Sequence, residues 1–231
     1  MDVHILSGGA AQGVVRGLEQ AFLEQTGARL QATFGAVGMM KEKLLSGAPC
    51  DVLILTQALI DELEKTGRVV PGSAAPLGRV KTGVAVKAGE AQPDVSGADG
   101  LRAALLAARG IYFPDPQKAT AGIHFINVVK KLGILAEVEP ALRPFPNGAT
   151  AMAQMAQADE PGLLGCTQVT EILYTPGVTL VSALPAEFEL ATVYTAAMTT
   201  RAGQPELARQ LIAALSGDAS RALREQGGFE L

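Results

Sequence analysis

Val3-His4-Ile5-Leu6-Ser7-Gly8-Gly9-Ala10 is an apolar strand that runs into a loop with almost no side-chain bulk. A helical pattern begins directly behind it: Val14, Leu18 and Phe22 fall at i, i+4 and i+8, and Gly27 stops the run. A strand that enters a helix through such a loop leaves backbone N–H groups at the helix start without intrahelical acceptors, and those groups attract anions. The same event recurs at Gly35-Ala36-Val37-Gly38 and at Ala119-Thr120-Ala121-Gly122. Three such loops predict a protein built around a small anionic molecule. A dinucleotide site is excluded, because Gly8, Gly9 and Gly13 do not give the G-x-G-x-x-G spacing.

Outward from that stretch the alternation continues. Residues 30–34 read as a second strand, and 39–45 as a helix stopped by Gly47 and Pro49. Asp51-Val52-Leu53-Ile54-Leu55 reads as a strand buried on both faces of a parallel sheet, followed by a helix over 57–65. That βαβαβα order predicts a right-handed wound sheet. The Gly/Pro/Ser-rich residues 71–78 predict a boundary, and 81–86 a strand leading out of the first lobe. A second alternation follows, with helices over 99–108, 120–131 and 149–158 and strands over 111–113, 163–167 and 178–181. A long β-type run, 190–198, precedes closing helices near 205–215 and 218–225.

Bulk properties narrow the function classes. The chain has 231 residues, enough to bury a real core in one domain or two. Its net charge of −4 and aromatic content of 4% argue against a nucleic-acid partner, which needs cationic surface and stacking platforms. Nothing predicts direct membrane insertion. No secretory signal precedes the first strand, so two compartments stay open: periplasmic if a leader was removed, otherwise cytoplasmic. Cys50 and Cys166 lie in separate strand-like runs and read as buried free thiols. No His, Cys or Asp cluster has metal-ligand spacing, so no cofactor or metal is expected.

At this point the residues resemble a known family, the type II periplasmic solute-binding proteins, in particular the molybdate-binding branch and its relatives. The resemblance is carried by Gly47-Ala48-Pro49-Cys50-Asp51-Val52, the helix-ending Gly27, Ala121-Gly122-Ile123, Leu164-Gly165 and a C-terminal Gly227-Gly228-Phe229, and it spans nearly the whole chain. It implies an α/β fold of two lobes, each a wound, mostly parallel sheet with flanking helices, joined by two crossing hinge strands. Lobe 1 would hold residues 1–80 plus 196–231 and lobe 2 residues 81–195, with crossings at about 79–86 and 190–198. It also implies a small anion held in the inter-lobe cleft, closure about the hinge, and an ABC importer as partner.

Departures from the family pattern redirect the ligand. Where oxyanion-binding members place a serine in each of the first two loops, this chain resembles them with Ala10 and Val37, and Gln168 stands for the tyrosine of the late loop. Each lost hydroxyl leaves an oxyanion oxygen unpaired, so molybdate does not follow. Lys81-Thr82 and Gln168-Val169-Thr170-Glu171 resemble a subset that points to organic anions, here a di- or tricarboxylate. Some members of that subset resemble enzymes that isomerise small unsaturated polycarboxylates.

The expected ligand contacts are the backbone at Ser7, Gly8, Gly9 and Ala10, at Val37 and Gly38, and at Ala121, Gly122 and Ala149. Thr56, Lys81, Thr82, Gln168 and Thr170 are the expected side-chain donors. Competing readings stand beside several of these. Thr56 suits a helix cap, Lys81 a solvated strand end, and Glu171 a carboxylate complementing its own helix start. His124, on the first turn of a helix, is either an ordinary packed residue or a proton shuttle. For an isomerase, His124 or Glu171 would move the proton. His4 and the stripe of Met152 and Met155 read as core. Tyr112 and Asp115 flank a strand end from which either could reach the cleft, though Asp115-Pro116 is also a turn signal, and Asn147-Gly148 reads as a turn with Thr150 behind it as a candidate donor.

Overall fold

The computed structural model describes residues 1–231. The chain opens with β1 (Asp2–Gly8), a single tight turn (Gly9–Ala11), α1 (Gln12–Thr26), β2 (Arg29–Gly35), α2 (Val37–Leu45), β3 (Val52–Thr56) and α3 (Gln57–Lys65). A long strand, β4 (Ala75–Lys87), leads into α4 (Ala98–Ala107), β5 (Gly110–Pro114), α5 (Thr120–Lys131) and the short α6 (Leu135–Val138). Then come β6 (Leu142–Phe145), α7 (Gly148–Gln157), β7 (Leu163–Gln168), α8 (Val169–Tyr174) and β8 (Val178–Ala183). β9 (Ala191–Met198), α9 (Pro205–Ser216) and α10 (Arg221–Gln226) complete the chain. Two compact units result, Met1–Val80 with Thr192–Leu231, and Lys81–Ala191.

In the first unit β1 lies between β2 and β3, parallel to both, and β9 runs antiparallel to β3. Gly8 pairs with Gly35 and Thr56 with Tyr194, so three parallel strands release their helices at one end of the sheet. The apolar run Val52, Leu53, Ile54 and Leu55 is wholly buried, as a strand covered on both faces must be. At the opposite end Asp51 is 2% exposed. Its carboxylate accepts the His4 N–H (2.7 Å) and the Gln204 N–H (2.9 Å) at the α9 start. Arg224 on α10 is also buried, and its guanidinium donates to the carbonyls of Leu77, Ser216 and Gly217. Burial lowers its pKa, and Arg221 nearby adds to that.

The second unit's sheet runs β8, β4, β7, β5, β6, with β7, β5 and β6 parallel and β4 antiparallel to both neighbours. Alternation along β5 sorts two cores. Ile111 and Phe113 join Leu101, Phe125 and Ile134 on one face, while Tyr112 joins Met152 and Met155 on the other. The Met stripe is therefore core.

The short α6 was not anticipated, and two strands also depart from the sequence reading. β4 begins at Ala75, inside the stretch read as a boundary, and passes through Gly78 at φ 136°, which favours glycine. β6 was not anticipated: it is an edge strand of four residues containing Pro144, a position where proline costs no ladder bond. Both cysteines are free and buried, as expected.

Candidate functional site

Polar groups collect in each unit at the carboxyl ends of the parallel strands, where open α/β sheets bind ligands. In the first unit the loops are nearly bare. No side chain caps the turn at Gly9 or the start of α2, whose N-cap is Ala36. Ala10 and Val37 are buried and offer no hydroxyl. Ser7 is fully buried and its hydroxyl donates to the Gly8 carbonyl. Thr56 caps α3, accepting the Leu59 N–H at 3.4 Å. Gln57 is engaged on both sides, by the Thr195 hydroxyl (2.5 Å) and by Asp61 (2.7 Å). What this unit offers an anion is backbone N–H groups around Gly8–Ala10 and Val37–Gly38.

The second unit is polar inside. Thr82, Thr167, Gln168, Thr170 and Glu171 are all buried where β4, β7 and α8 meet, with Thr82 paired to Gln168 across the strands. The hydroxyls of Thr82 and Thr170 are buried with no hydrogen-bond partner. Unsatisfied buried hydroxyls are uncommon and call for an explanation, of which a ligand is one. Beside them α5 starts at Thr120 with no side-chain cap, over the loop shaped by Asp115, whose carboxylate accepts the N–H groups of Gln117 and Lys118. Gly122 is required there: a Cβ would stand 2.2 Å from the Pro114 carbonyl oxygen. Ala121 and Gly122 thus lie at an open helix start, within reach of the same end of the sheet.

Glu171 serves its own helix start, reaching back to the N-cap Gln168, and a second helix start besides. Its carboxylate accepts the Thr167 hydroxyl (2.5 Å) and the N–H groups of Gln168 and Ala149, the latter in the first turn of α7. Burial pushes its pKa up to about 7, against the pull of those three donors. Gly148 lies directly beneath: a Cβ at that position would sit 2.0 Å from both Glu171 Oε2 and Thr167 Oγ1. Asn147 caps the same helix by accepting the Thr150 N–H (2.8 Å). The Ala149 N–H, expected to face ligand, is thereby given to Glu171.

His124 Nε2 lies 2.7 Å from the Phe188 carbonyl oxygen and donates to it, which leaves Nδ1 as the basic nitrogen of the neutral ring. Lys81 Nζ is 3.0 Å from the Glu189 carboxylate. The segment supplying Phe188 and Glu189 was absent from the sequence reading. Its residues match no motif, and only the pairing of Thr82 with both Leu184 and Leu190 brings them to the site. Thr167 and Gly148 were missed for the same reason.

One cavity lies elsewhere. It measures about 140 Å³, is lined by Gly47–Cys50, Arg68 and Thr199–Arg201, and sits beyond the C-terminal ends of α2 and α3. Helix C-termini disfavour anions, and the arginines there complement the carbonyl ends. No group of His, Cys, Asp and Glu could hold a metal ion, and no helix is long and apolar enough to cross a membrane.

Comparison with known proteins agrees with this architecture. A family model described as bacterial extracellular solute-binding protein matches residues 3–230. An aconitate isomerase of a Pseudomonas species is 28% identical over 96% of this chain and 86% of its own length. The periplasmic molybdate-binding protein of Azotobacter vinelandii superposes with a TM-score of 0.81 at 21% identity, covering 99% of both chains. PEB3 of Campylobacter jejuni, in a structure with L-phospholactate bound, superposes with a TM-score of 0.70 at 16% identity over the whole of both chains.

Proposed function

The chain belongs to the bacterial extracellular solute-binding protein family, and from that premise we propose that it binds a small organic anion, a di- or tricarboxylate, and delivers it to an ABC importer. The observation that carries this reading is the pair of buried, unpartnered hydroxyls of Thr82 and Thr170 beside the uncapped start of α5. Carboxylate oxygens are the acceptors such donors suit. Lys81, in the same unit, supplies charge. The absence of hydroxyls at Ala10 and Val37 weighs against a tetrahedral oxyanion, whose oxygens need a donor each. The named activity of the aconitate isomerase relative, a tricarboxylate chemistry, supports the same ligand class.

A thermal-shift panel of small di- and tricarboxylates beside molybdate, tungstate and sulfate tests the reading. A carboxylate at a hundredfold over its Kd adds about 2.7 kcal/mol of stability. Stabilisation by molybdate or sulfate with none by any carboxylate overturns it.

A second reading is favoured by that same relative and by Glu171. It is an isomerase that removes a proton from carbon on one side of a C=C bond and returns one on the other, leaving the composition unchanged. A carboxyl pushed up to about 7 is poised to take and give a proton near neutral pH, and His124 Nδ1 is the alternative base. Uptake of deuterium at ligand carbon in deuterated water supports it, and a ligand recovered unlabelled and unrearranged leaves pure binding.

A further inference from the structure

The middle of β4, which carries Lys81 and Thr82, is bracketed by residues 184–190. The Leu184 N–H donates to the Thr82 carbonyl (3.0 Å) and the Thr82 N–H to the Leu190 carbonyl (3.3 Å). Between these fastenings the Phe188 ring joins the core, the Phe188 carbonyl accepts from His124, and the Glu187 carboxylate accepts the Ala98 N–H (3.1 Å). The segment is therefore held by backbone bonds and burial, independently of Glu189. The Lys81–Glu189 pair is 28% and 40% exposed by side chain. An ion pair of that exposure adds little to stability. Its consequence falls on Lys81, whose ammonium already faces an internal carboxylate.

We propose that Glu189 is a built-in competitor for the anion site: it occupies Lys81 until a ligand carboxylate displaces it, and so sets an affinity threshold that a polycarboxylate, with its further contacts, clears and a monocarboxylate does not. The inference rests on the reading of Lys81 as a carboxylate contact. A monocarboxylate offers Lys81 nothing that Glu189 does not, and it must also meet the cost of immobilisation. A second or third carboxylate adds contacts to Thr82, Thr170 and the α5 start that Glu189 cannot make. The displaced Glu189 side chain, already 40% exposed, turns to water at little cost.

Calorimetric titration of citrate, trans-aconitate, succinate and acetate into the wild type, Glu189→Gln, Lys81→Met and the double variant tests this. Glu189→Gln is expected to tighten the best polycarboxylate by up to about fivefold, the range of an exposed ion pair, and acetate by the same factor. In the Lys81→Met background the same substitution is expected to change nothing, since the effect passes through Lys81. Glu189→Ala gives the same sign if the amide makes a contact of its own. Unchanged or weaker binding in Glu189→Gln, with the wild type binding a polycarboxylate, overturns the competitor and leaves the ligand class standing. A wild type that binds none of the four overturns both.

Discussion

Two buried carboxylates, one in each unit, do the same mechanical job in different surroundings. Asp51 is 2% exposed and Glu171 is 6% exposed, and each ties a helix start to a strand through backbone N–H groups. Asp51 stands at the amino end of its sheet, away from the loops that release the helices. Glu171 stands at the carboxyl end of its sheet, beside two hydroxyls without partners. Asp51 leaves room around itself: a Cβ on the neighbouring Gly203 would lie 3.8 Å from its Oδ1. Glu171 is pressed against Gly148 with no such room. A buried carboxylate is thus a fold device where the sheet is merely closed off. Beside the unpartnered hydroxyls of the proposed site, the same device is a group whose pKa burial raises to about 7.

The comparison breaks most visibly at Asp51. Asp51→Ala strands the His4 and Gln204 N–H groups without an acceptor, and each stranded donor costs about 1 to 3 kcal/mol. The expected loss in urea denaturation is roughly 3 kcal/mol. Affinity of the folded protein for the proposed carboxylate ligand should stay as in the wild type. A loss of affinity in the folded fraction would mean that Asp51 belongs to the binding machinery after all.

Glu171 sharpens the comparison through pH. Its carboxyl has an ordinary value of 4.5 and is raised to about 7 by burial, so the folded chain holds the proton more tightly than the unfolded one. The contribution is full below about 4.5 and is lost as the pH rises through about 7. Stability is therefore expected to fall by about 2 kcal/mol between pH 5 and pH 8 on account of this group. Glu171→Gln, which stays neutral, should flatten that part of the profile. A profile with the same slope in both proteins would place the titration elsewhere.

What the sequence revealed about these two residues follows from how far apart their partners lie. The alternation of strand and helix needs only local pattern, and the α/β class of the fold was legible from it. Asp51 was legible as part of the block Gly47-Ala48-Pro49-Cys50-Asp51-Val52, but its job was not, since His4 lies 47 residues away and Gln204 lies 153 away. Glu171 reads locally as a carboxylate serving its own helix start, as its bond from the Gln168 N–H shows, and only the packing of α7 beside β7 adds Ala149. β6 escaped because Leu142-Arg143-Pro144-Phe145 is short and contains a proline, and nothing local says that it is an edge. Thr82 and Thr170 were legible as candidates by resemblance alone. That their hydroxyls are buried and unpartnered is a property of the assembled unit.

The smallest expected effect, at Gly203, is best measured beside its counterpart at Gly148, and the two glycines test the comparison at its root. In Gly148→Ala the new methyl carbon would fall 2.0 Å from two oxygens, closer than any real contact, so the Glu171 carboxylate or the Thr167 hydroxyl must move. Overpacking of that kind costs roughly 1 to 3 kcal/mol. Here it also disturbs residues packed beside Thr82 and Thr170, so carboxylate affinity should fall with stability. In Gly203→Ala the methyl meets Asp51 Oδ1 at 3.8 Å, an ordinary contact, and both stability and affinity should stay within about 0.5 kcal/mol of the wild type. Urea denaturation and calorimetry on the two variants side by side decide the matter. If Gly148→Ala is as mild as Gly203→Ala, the carboxylate of Glu171 moves freely over α7 and its fixed position is no part of the site. If it weakens the carboxylate but leaves stability untouched, Glu171 reaches the ligand directly, and the case for proton transfer gains the group it needs.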